Sequence, residues 1–377
     1  MKQGYCPNLA FVTSALGAAG ELAIRSLIEK APMASSLADA FKKEGFQLAL
    51  VGGPVRDAIL GRLGNDLDFT TNALPNESKK ILKSWAESVW ETGIIFGTVA
   101  GKRGDTTVEV TTYRSDRYDE ESRKPEVAFG DSIEADLSRR DFTINAMALE
   151  LTQGAPLFID PHNGLEDLAK KLIRTPTSPE NSFSDDPLRI MRAARFASQL
   201  DFSIAENVLL AMKKMSSRIA IISAERVRDE LTKIVMSPNP RAGITVLVET
   251  GIADLILPEI PKLQLEIDEH HHHKDVYEHT LTVLEQAIAL ENRLGGPNLV
   301  IRLAALMHDV GKPKTRALIA GGGVSFHHHE VVGARLTKER LKTLRFDGNT
   351  IQDVATLVAL HLRFHGYGDG EWTDSAV

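Results

Sequence analysis

Asp66 and Asp68, in Asp66-Leu67-Asp68-Phe69, are the side chains of this sequence best spaced to do chemistry. On a strand, residues two apart point to one face. Two carboxylates on one face can hold a divalent cation against triphosphate oxygens. Eight residues upstream the chain reads Gly52-Gly53-Pro54-Val55-Arg56-Asp57, directly after the apolar run Leu48–Val51. A Gly-Gly turn lets backbone come close to a phosphate group. Thr107-Val108-Glu109-Val110-Thr111 is rich in β-formers, and its Glu109 can supply a third carboxylate. An isolated Asp-x-Asp is common in solvated loops. The Gly-Gly turn and Arg56 before it, and a strand-borne acid after it, favour the metal reading and point to transfer of a nucleotidyl group.

Two further segments fit a nucleotide. In Arg139-Arg140-Asp141-Phe142-Thr143-Ile144-Asn145-Ala146 a guanidinium can grip phosphate bidentately and Asn145 can bond a ribose hydroxyl. The same segment also reads as a helix start capped by Asp141, and both can hold. In Asp185-Asp186-Pro187-Leu188-Arg189-Ile190-Met191-Arg192-Ala193-Ala194-Arg195-Phe196, Pro187 suits a first helical turn with acids at its start. Asp186, Arg189, Arg192 and Arg195 recur every three residues, a winding polar band flanked by Leu188, Met191 and Phe196. Three arginines without interspersed acids repel unless something anionic lies across them, and a triphosphate would. Asp186 can accept from the exocyclic amine of cytosine or adenine while Arg189 donates to the neighbouring ring nitrogen. Guanine and uracil leave one or both groups unpaired, at about 1–3 kcal/mol each.

A second constellation is histidine-rich: His279, His308-Asp309, His327, His329 and Asp374. Imidazoles and a carboxylate can together ligate a divalent or transition metal. A lone histidine on an apolar face is usually a core residue, but six ligand-type residues on one helical unit are hard to read that way. The run His270–His273 reads as solvated.

Elements must position these groups. Residues 1–46 read as an Ala- and Leu-rich helical segment, in preference to a signal peptide. Residues 47–165 alternate short strands (Leu48–Val51, Leu67–Thr71, Gly97–Gly101, Thr107–Tyr113, Leu157–Ile159) with turns and one helix, Glu77–Val89. From about Glu166 the apolar period becomes 3.6 and strands disappear. Prolines 238, 240, 258 and 261 mark a boundary, dividing a helical stretch over 166–262 from a helical unit over 263–377. With 43% apolar residues the chain can bury more than one core, and a single cysteine, Cys6, excludes an internal disulfide framework and fits a reducing cytoplasm. No stretch approaches the length of a membrane span. The net charge of −7 argues against general nucleic-acid stickiness, yet between residues 187 and 245 ten Lys and Arg face five Asp and Glu, a candidate local patch for an RNA backbone.

In combination and in order, from about residue 48 to 235, these segments resemble the class II tRNA nucleotidyltransferases: the bacterial CCA-adding enzymes and their poly(A) polymerase relatives. The resemblance rests on Gly52-Gly53-x-Val55-Arg56-Asp57, Asp66-x-Asp68, Arg139–Ala146, Asp160-Pro161 with Gly164 and Asp167, Asp186-x-x-Arg189, and Ala224-Glu225-Arg226-Val227-Arg228-Asp229-Glu230-Leu231. It implies an α+β chain: a polymerase β-like head with a small sheet, then an all-helical neck. It implies Mg²⁺ at Asp66 and Asp68 and nucleotide contacts from Gly52, Gly53, Arg56, Arg140, Asn145, Asp186, Arg189, Arg192 and Arg195. The implied reaction is addition of CCA to the 3′ end of tRNA from CTP and ATP, with poly(A), CC-only or A-only addition in the same family. One departure is Asp185, where many relatives carry Glu. The histidine unit resembles the HD phosphohydrolase superfamily, all-helical, with His279, His308, Asp309 and Asp374 at the ligand positions and a second divalent or transition metal implied there. Relatives continue beyond that last ligand, so a C-terminally incomplete HD unit is expected. Neither a membrane nor a protein partner is implied.

Overall fold

The computed structural model describes residues 9–93, 97–117, 126–130, 132–264, 275–318 and 324–364. They fall into two compact units, Met1–Ser182 and Phe183–Val377.

The first unit is α+β. Helices α1 (Leu9–Lys30) and α2 (Met33–Lys43) precede β1 (Leu48–Val51), α3 (Gly53–Ile59), β2 (Asp66–Thr71) and α4 (Pro75–Trp85). Then come β3 (Ser88–Gly93), β4 (Thr98–Arg103), β5 (Thr106–Thr112), the hairpin β6 (Arg114–Arg117) and β7 (Glu126–Phe129), and α5 (Ile133–Ser138). A 3₁₀ turn (Thr143–Asn145), β8 (Ala148–Glu150), β9 (Leu157–Ile159) and α6 (Gly164–Ala169) follow. Seven strands form one sheet in the order β3-β4-β5-β2-β1-β8-β9, and β2 runs parallel to β5 while the other neighbours are antiparallel. All four residues of β1 are buried, as suits an apolar central strand between β2 and β8. β5 alternates buried and half-buried residues, so one face packs on the core and the other stays open.

Three expectations change here. The helix expected over Glu77–Val89 stops at Trp85, and Ser88 and Val89 instead pair with Lys102 and Gly101 of β4. The 3.6 period through Ile81 and Trp85 runs on to Val89 by chance, while sheet pairing claims that residue. The segment after Asp141 makes only a 3₁₀ turn before entering β8, so Asp141 caps no helix. After Glu166, strands persist as two-residue pieces: Leu172–Ile173, Ser203–Ile204, Ala317–Leu318 and Val324–Ser325.

The second unit is helical. Following α7 (Pro179–Asp185), which starts before it, come α8 (Leu188–Leu200), α9 (Glu206–Met215), α10 (Ala224–Val235), α11 (Pro240–Glu249) and α12 (Ala253–Ile256). Next are α13 (Val276–Leu290), α14 (Leu299–Met307), α15 (Lys312–Thr315), α16 (His329–Thr343) and α17 (Gly348–Leu360). Ser223, Asn239, Asp275, Asn298 and Asp347 each cap the following helix by accepting a backbone N–H. Arg302 of α14 is buried. It bonds Glu291 through Nε and Nη2 at 2.6 and 2.7 Å, and its Nη1 donates to the carbonyls of Val235 and Ser237, both at 2.8 Å. This fastens α14 to the end of α10. Among the described residues no helix is long and apolar enough to cross a membrane.

Candidate active site and metal centre

Asp66 and Asp68 are exposed, while Leu67 and Phe69 between and after them are buried, so both carboxylates lie on the open face of β2. In the parallel pairing Asp68 lies opposite Glu109 and Asp66 opposite Thr107. Glu109 is half-buried on the same face, between buried Val108 and Val110. Its carboxyl is pushed above its ordinary value, first by burial, then by the charges of Asp68 and Asp66. The fold thus assembles three acids that repel one another. A divalent cation relieves such repulsion, so the residues fit one.

Beside them β1 runs into the turn at Gly52, whose φ is +74°. The positive φ favours glycine, and a Cβ at Gly52 would also lie 2.8 Å from Arg140 Nη1 and displace that guanidinium. Arg56 on α3 is buried and donates through Nη1 to Asn145 Oδ1 at 2.6 Å, with Nε and Nη2 on Asp57 at 3.1 and 3.0 Å. Asn145 Nδ2 in turn donates to Asp141 Oδ1 at 3.0 Å. The buried Asn145 amide therefore orients Arg56. Arg140 Nη2 is 3.2 Å from Asp136 Oδ2, and its buried Nε has no hydrogen-bond partner among the described residues. Acids outside the expected set hold this segment. Asp167 accepts from Thr143 Oγ1 at 2.7 Å and Arg174 Nη2 at 2.8 Å, and Asp160 accepts the Gly164 and Leu165 N–H groups. Gly164 is obligatory, because a Cβ there would sit 2.2 Å from the Thr143 carbonyl oxygen.

In the second unit Asp186, Arg189, Arg192 and Arg195 are all half-buried, and Leu188, Met191 and Phe196 beside them are buried. Asp186 Oδ1 accepts the Leu188 N–H at 3.1 Å, and its Oδ2 accepts from Arg226 Nη2 at 2.9 Å. Arg189 Nη1 is 3.9 Å from Asp185 Oδ2. Arg195 Nε lies 2.7 Å from buried Glu230 Oε2, a close ion pair without hydrogen-bond alignment, and its guanidinium stacks 4.3 Å from the Phe196 ring centre. The band therefore does not lack acids, as the sequence suggested: α10 delivers Glu230 across it. Arg226 and Glu230 went unassigned, though both stand in the Ala224–Leu231 motif. The basic excess also shrinks, since Arg241 binds Glu278 and Glu285.

The histidine cluster forms from four helix ends. His279 lies on α13, His308 and Asp309 follow α14, His329 opens α16 and His361 follows α17. Asp309 is 1% exposed. Its carboxylate oxygens lie within 3.0–3.9 Å of the Nε2 atoms of all four imidazoles. Nδ1 of His308, His329 and His361 faces the carbonyls of Ala305, Phe326 and Val358 at 2.8, 2.8 and 2.7 Å. Those bonds place the proton on Nδ1 and turn Nε2 inward as a ligand. Burial pulls His361 down to about 4, keeping it neutral. Burial also opposes charge on His329, but Asp309 outweighs it and the net shift is upward. Burial works against the Asp309 charge too, yet His308, His329 and Lys312 hold the carboxyl well below the usual range. The Nε2 atoms of His329 and His361 stand 3.2 Å apart, a gap that needs a proton or a cation. The cluster fits a divalent metal. His329 belongs to it and His361, unread in the sequence, joins it. His327 lies exposed in the turn before α16, and Asp374 and His270–His273 fall outside the described residues.

An acidic sheet face beside a glycine–arginine cradle, followed by a helical His–Asp centre, is the architecture of a nucleotidyltransferase head joined to an HD unit. Three family descriptions match in order: "Poly A polymerase head domain" over residues 48–174, "Probable RNA and SrmB- binding site of polymerase A" over 201–263, and "HD domain" over 276–374. Over these three segments the chain is similar to the poly(A) polymerase head, RNA-binding and HD families. It is 39% identical over 228 residues to a CCA-adding enzyme of Lactobacillus helveticus, covering 60% of this chain and 54% of that one. It is 38% identical over 237 residues to an A-adding tRNA nucleotidyltransferase of Deinococcus radiodurans, covering 61% and 53%. The chain spans about half the length of these curated relatives. In structure it resembles the Bacillus stearothermophilus CCA-adding enzyme in complex with CTP, with TM-score 0.60 and 26% identity over 88% of this chain and 70% of that one.

Because Glu109 is destabilised by burial and by its acidic neighbours, Glu109→Gln is expected to raise the melting temperature of the metal-free protein at pH 7 by about 1–3 °C. The sign follows from the raised carboxyl: folding is favoured while Glu109 is protonated and disfavoured once pH rises through its folded value. The same variant should weaken binding of a divalent cation. Calorimetry showing lower stability and unchanged divalent-cation affinity would contradict this account of the cluster.

Proposed function

We propose that this chain extends the 3′ end of tRNA by CCA, without a template, from CTP and ATP. The observation that supports it most is the register that sets Asp68 against Glu109, with Asp66 on the same open face. In this reading Mg²⁺ sits at Asp66 and Asp68 with Glu109 beside them. When bound, it supplies Lewis-acid charge neutralisation at the triphosphate and the attacking 3′-hydroxyl. The Gly52-Gly53 turn admits the phosphates, Arg56 and Arg140 hold them, and Asn145 keeps Arg56 in place. Arg192 and Arg195 extend the cationic surface. Asp186 accepts from the exocyclic amine of C or A, Arg189 donates to the ring nitrogen, and Arg226 fixes the Asp186 carboxylate. The corresponding division is an N-terminal helical segment over 1–46, a head over 47–165, a neck over 166–262 and an HD unit over 263–377, acting in the cytoplasm.

Two observations favour further readings. The A-adding relative makes partial addition, of A alone, a product of the same architecture. The His–Asp cluster supports a metal-dependent phosphohydrolase acting on RNA ends.

A tRNA ending at its discriminator base distinguishes the additions. CTP alone should add two residues and CTP with ATP three, while Asp68→Ala should abolish both, read by sequencing the 3′ end. A single A, or a long A tract, would replace CCA addition with one of the family's other activities. Asp186→Ala should relax the choice against GTP and UTP by about tenfold or more while changing triphosphate affinity less. Unaltered selectivity in that variant would remove Asp186 as the base reader. For the HD unit, phosphate release or ring opening of a 2′,3′-cyclic nucleotide should be lost in Asp309→Ala, and a chain inactive on all such esters would end that reading.

A further inference from the structure

Helix α16 carries cations of two kinds. Arg340 is half-buried and engaged, with Nε and Nη2 at 3.0–3.1 Å from the Glu259 carboxylate oxygens. Arg335, Lys338 and Lys342 are exposed, as is Arg345 just past the helix end. Positions 335, 338 and 342 are three and four residues apart, so they share one face of the helix. Gly333, Leu336, Thr337 and Leu341 form its buried side. Among the described residues none of the four exposed cations forms an ion pair, and the one exposed acid of α16 is Glu339. A solvated helix face ordinarily mixes both signs in pairs four residues apart. In a chain of net charge −7 this face departs from the whole.

Both ends of the face adjoin groups already described. α16 opens at His329 of the His–Asp cluster, and beyond its far end the Arg345 carbonyl accepts from Arg228 Nη1 at 2.7 Å. Arg228 stands on α10 two residues after Arg226, which holds Asp186. From His329 to Arg345 the helix direction spans about 24 Å. We propose that this face of α16 binds an RNA backbone and carries the strand across the ground between Asp186 and the His–Asp cluster. Resting on the reading of this chain as an enzyme of tRNA ends, the surface adds to it a partner contact outside residues 187–245. The cations recur about every 4.5–6 Å along the helix, a regular series that suits an anion repeated at every nucleotide. Carboxylates on a folded protein surface follow no such repeat. No aromatic side chain lies on α16 to stack a base, so the contact is to phosphate and without sequence preference.

The test measures binding of a tRNA transcript ending at its discriminator base to the full chain, by fluorescence anisotropy between about 50 and 200 mM salt. Each phosphate contact contributes about 0.7–0.9 to the slope of log affinity against log salt. The combined variant Arg335→Gln, Lys338→Gln, Lys342→Gln should flatten that slope by about 2–3 and weaken binding about tenfold or more at the lower salt. The combined variant Lys42→Gln, Lys43→Gln, Lys83→Gln removes as much charge from exposed positions of the first unit and should leave the slope unaltered. Equal flattening in both overturns the surface, because net charge alone would then account for the binding. Unaltered slope and affinity in the α16 variant overturn it while leaving nucleotide addition standing, and a chain that binds no tRNA overturns both. An α16 variant that keeps its RNA affinity but loses binding to polyglutamate assigns the face to an acidic protein and overturns the RNA reading. Lys338→Glu alone should flatten the slope by about 1, which decides the question even where the combined variant fails to fold.

Discussion

The parallel pairing of β2 with β5 is the constraint on which the chemistry of the head depends. Side chains on a strand alternate with period two, so a slip of one residue would send Glu109 to the buried face and leave Asp68 beside Val108 or Val110. What prevents the slip is the other face. Leu67, Phe69, Val108 and Val110 are each no more than 1% exposed, and burying each contributes about 1.5–3 kcal/mol. The repulsion among the carboxylates, two of which are exposed, is of the order of 1 kcal/mol per pair in a solvent-like dielectric. Apolar packing on one side therefore exceeds, several-fold, the electrostatic cost on the other. The site stores a repulsion that a bound cation would release.

The glycine–arginine turn follows the same logic at a smaller scale. A buried arginine is tolerable only when its donors are satisfied. Arg56 achieves this through Asn145 and Asp57, and Asn145 through Asp141. Behind them Asp167 ties Thr143 to Arg174, and Asp160 anchors the start of α6. These acids touch no reacting group in the proposed reaction. They fix the backbone that presents the groups which do, and this explains why acids recur in the motifs without forming one cluster.

Local alternation was legible in the sequence, and contacts made at long range were not. β1 and β9 lie where the apolar runs Leu48–Val51 and Leu157–Ile159 put them, and the alternating Thr107–Thr111 run is an open-faced strand. β3 was hidden because Val89 continues a helical period that pairing with β4 overrides. Glu230 is 35 residues from Arg195, so an acid that completes the arginine band does not show in the window around it. His361 was invisible for a similar reason. It follows an apolar helix and joins the cluster only because α17 ends where α14 does, beside Asp309.

Within the second unit, α10 links two sets of groups that the sequence presents as separate. Arg226 on α10 holds Asp186, and Glu230 one turn later meets Arg195. At the end of the same helix the Val235 carbonyl accepts from Arg302, whose helix α14 ends at His308 and Asp309. The Arg302–Glu291 pair is buried, and stranding one partner of such a pair costs about 3–5 kcal/mol. The joint is therefore stiff against local opening, and α8 and the ligands at the end of α14 are referred to a common helix. Neither the arginine band nor the histidine cluster is built on long loops. Each is fixed at helix ends by neighbouring side chains, Asp186 by Arg226, Arg195 by buried Glu230 and the histidines by Asp309. The base reading proposed for Asp186 and Arg189 needs that rigidity, because a carboxylate able to swing toward solvent would accept from any amine.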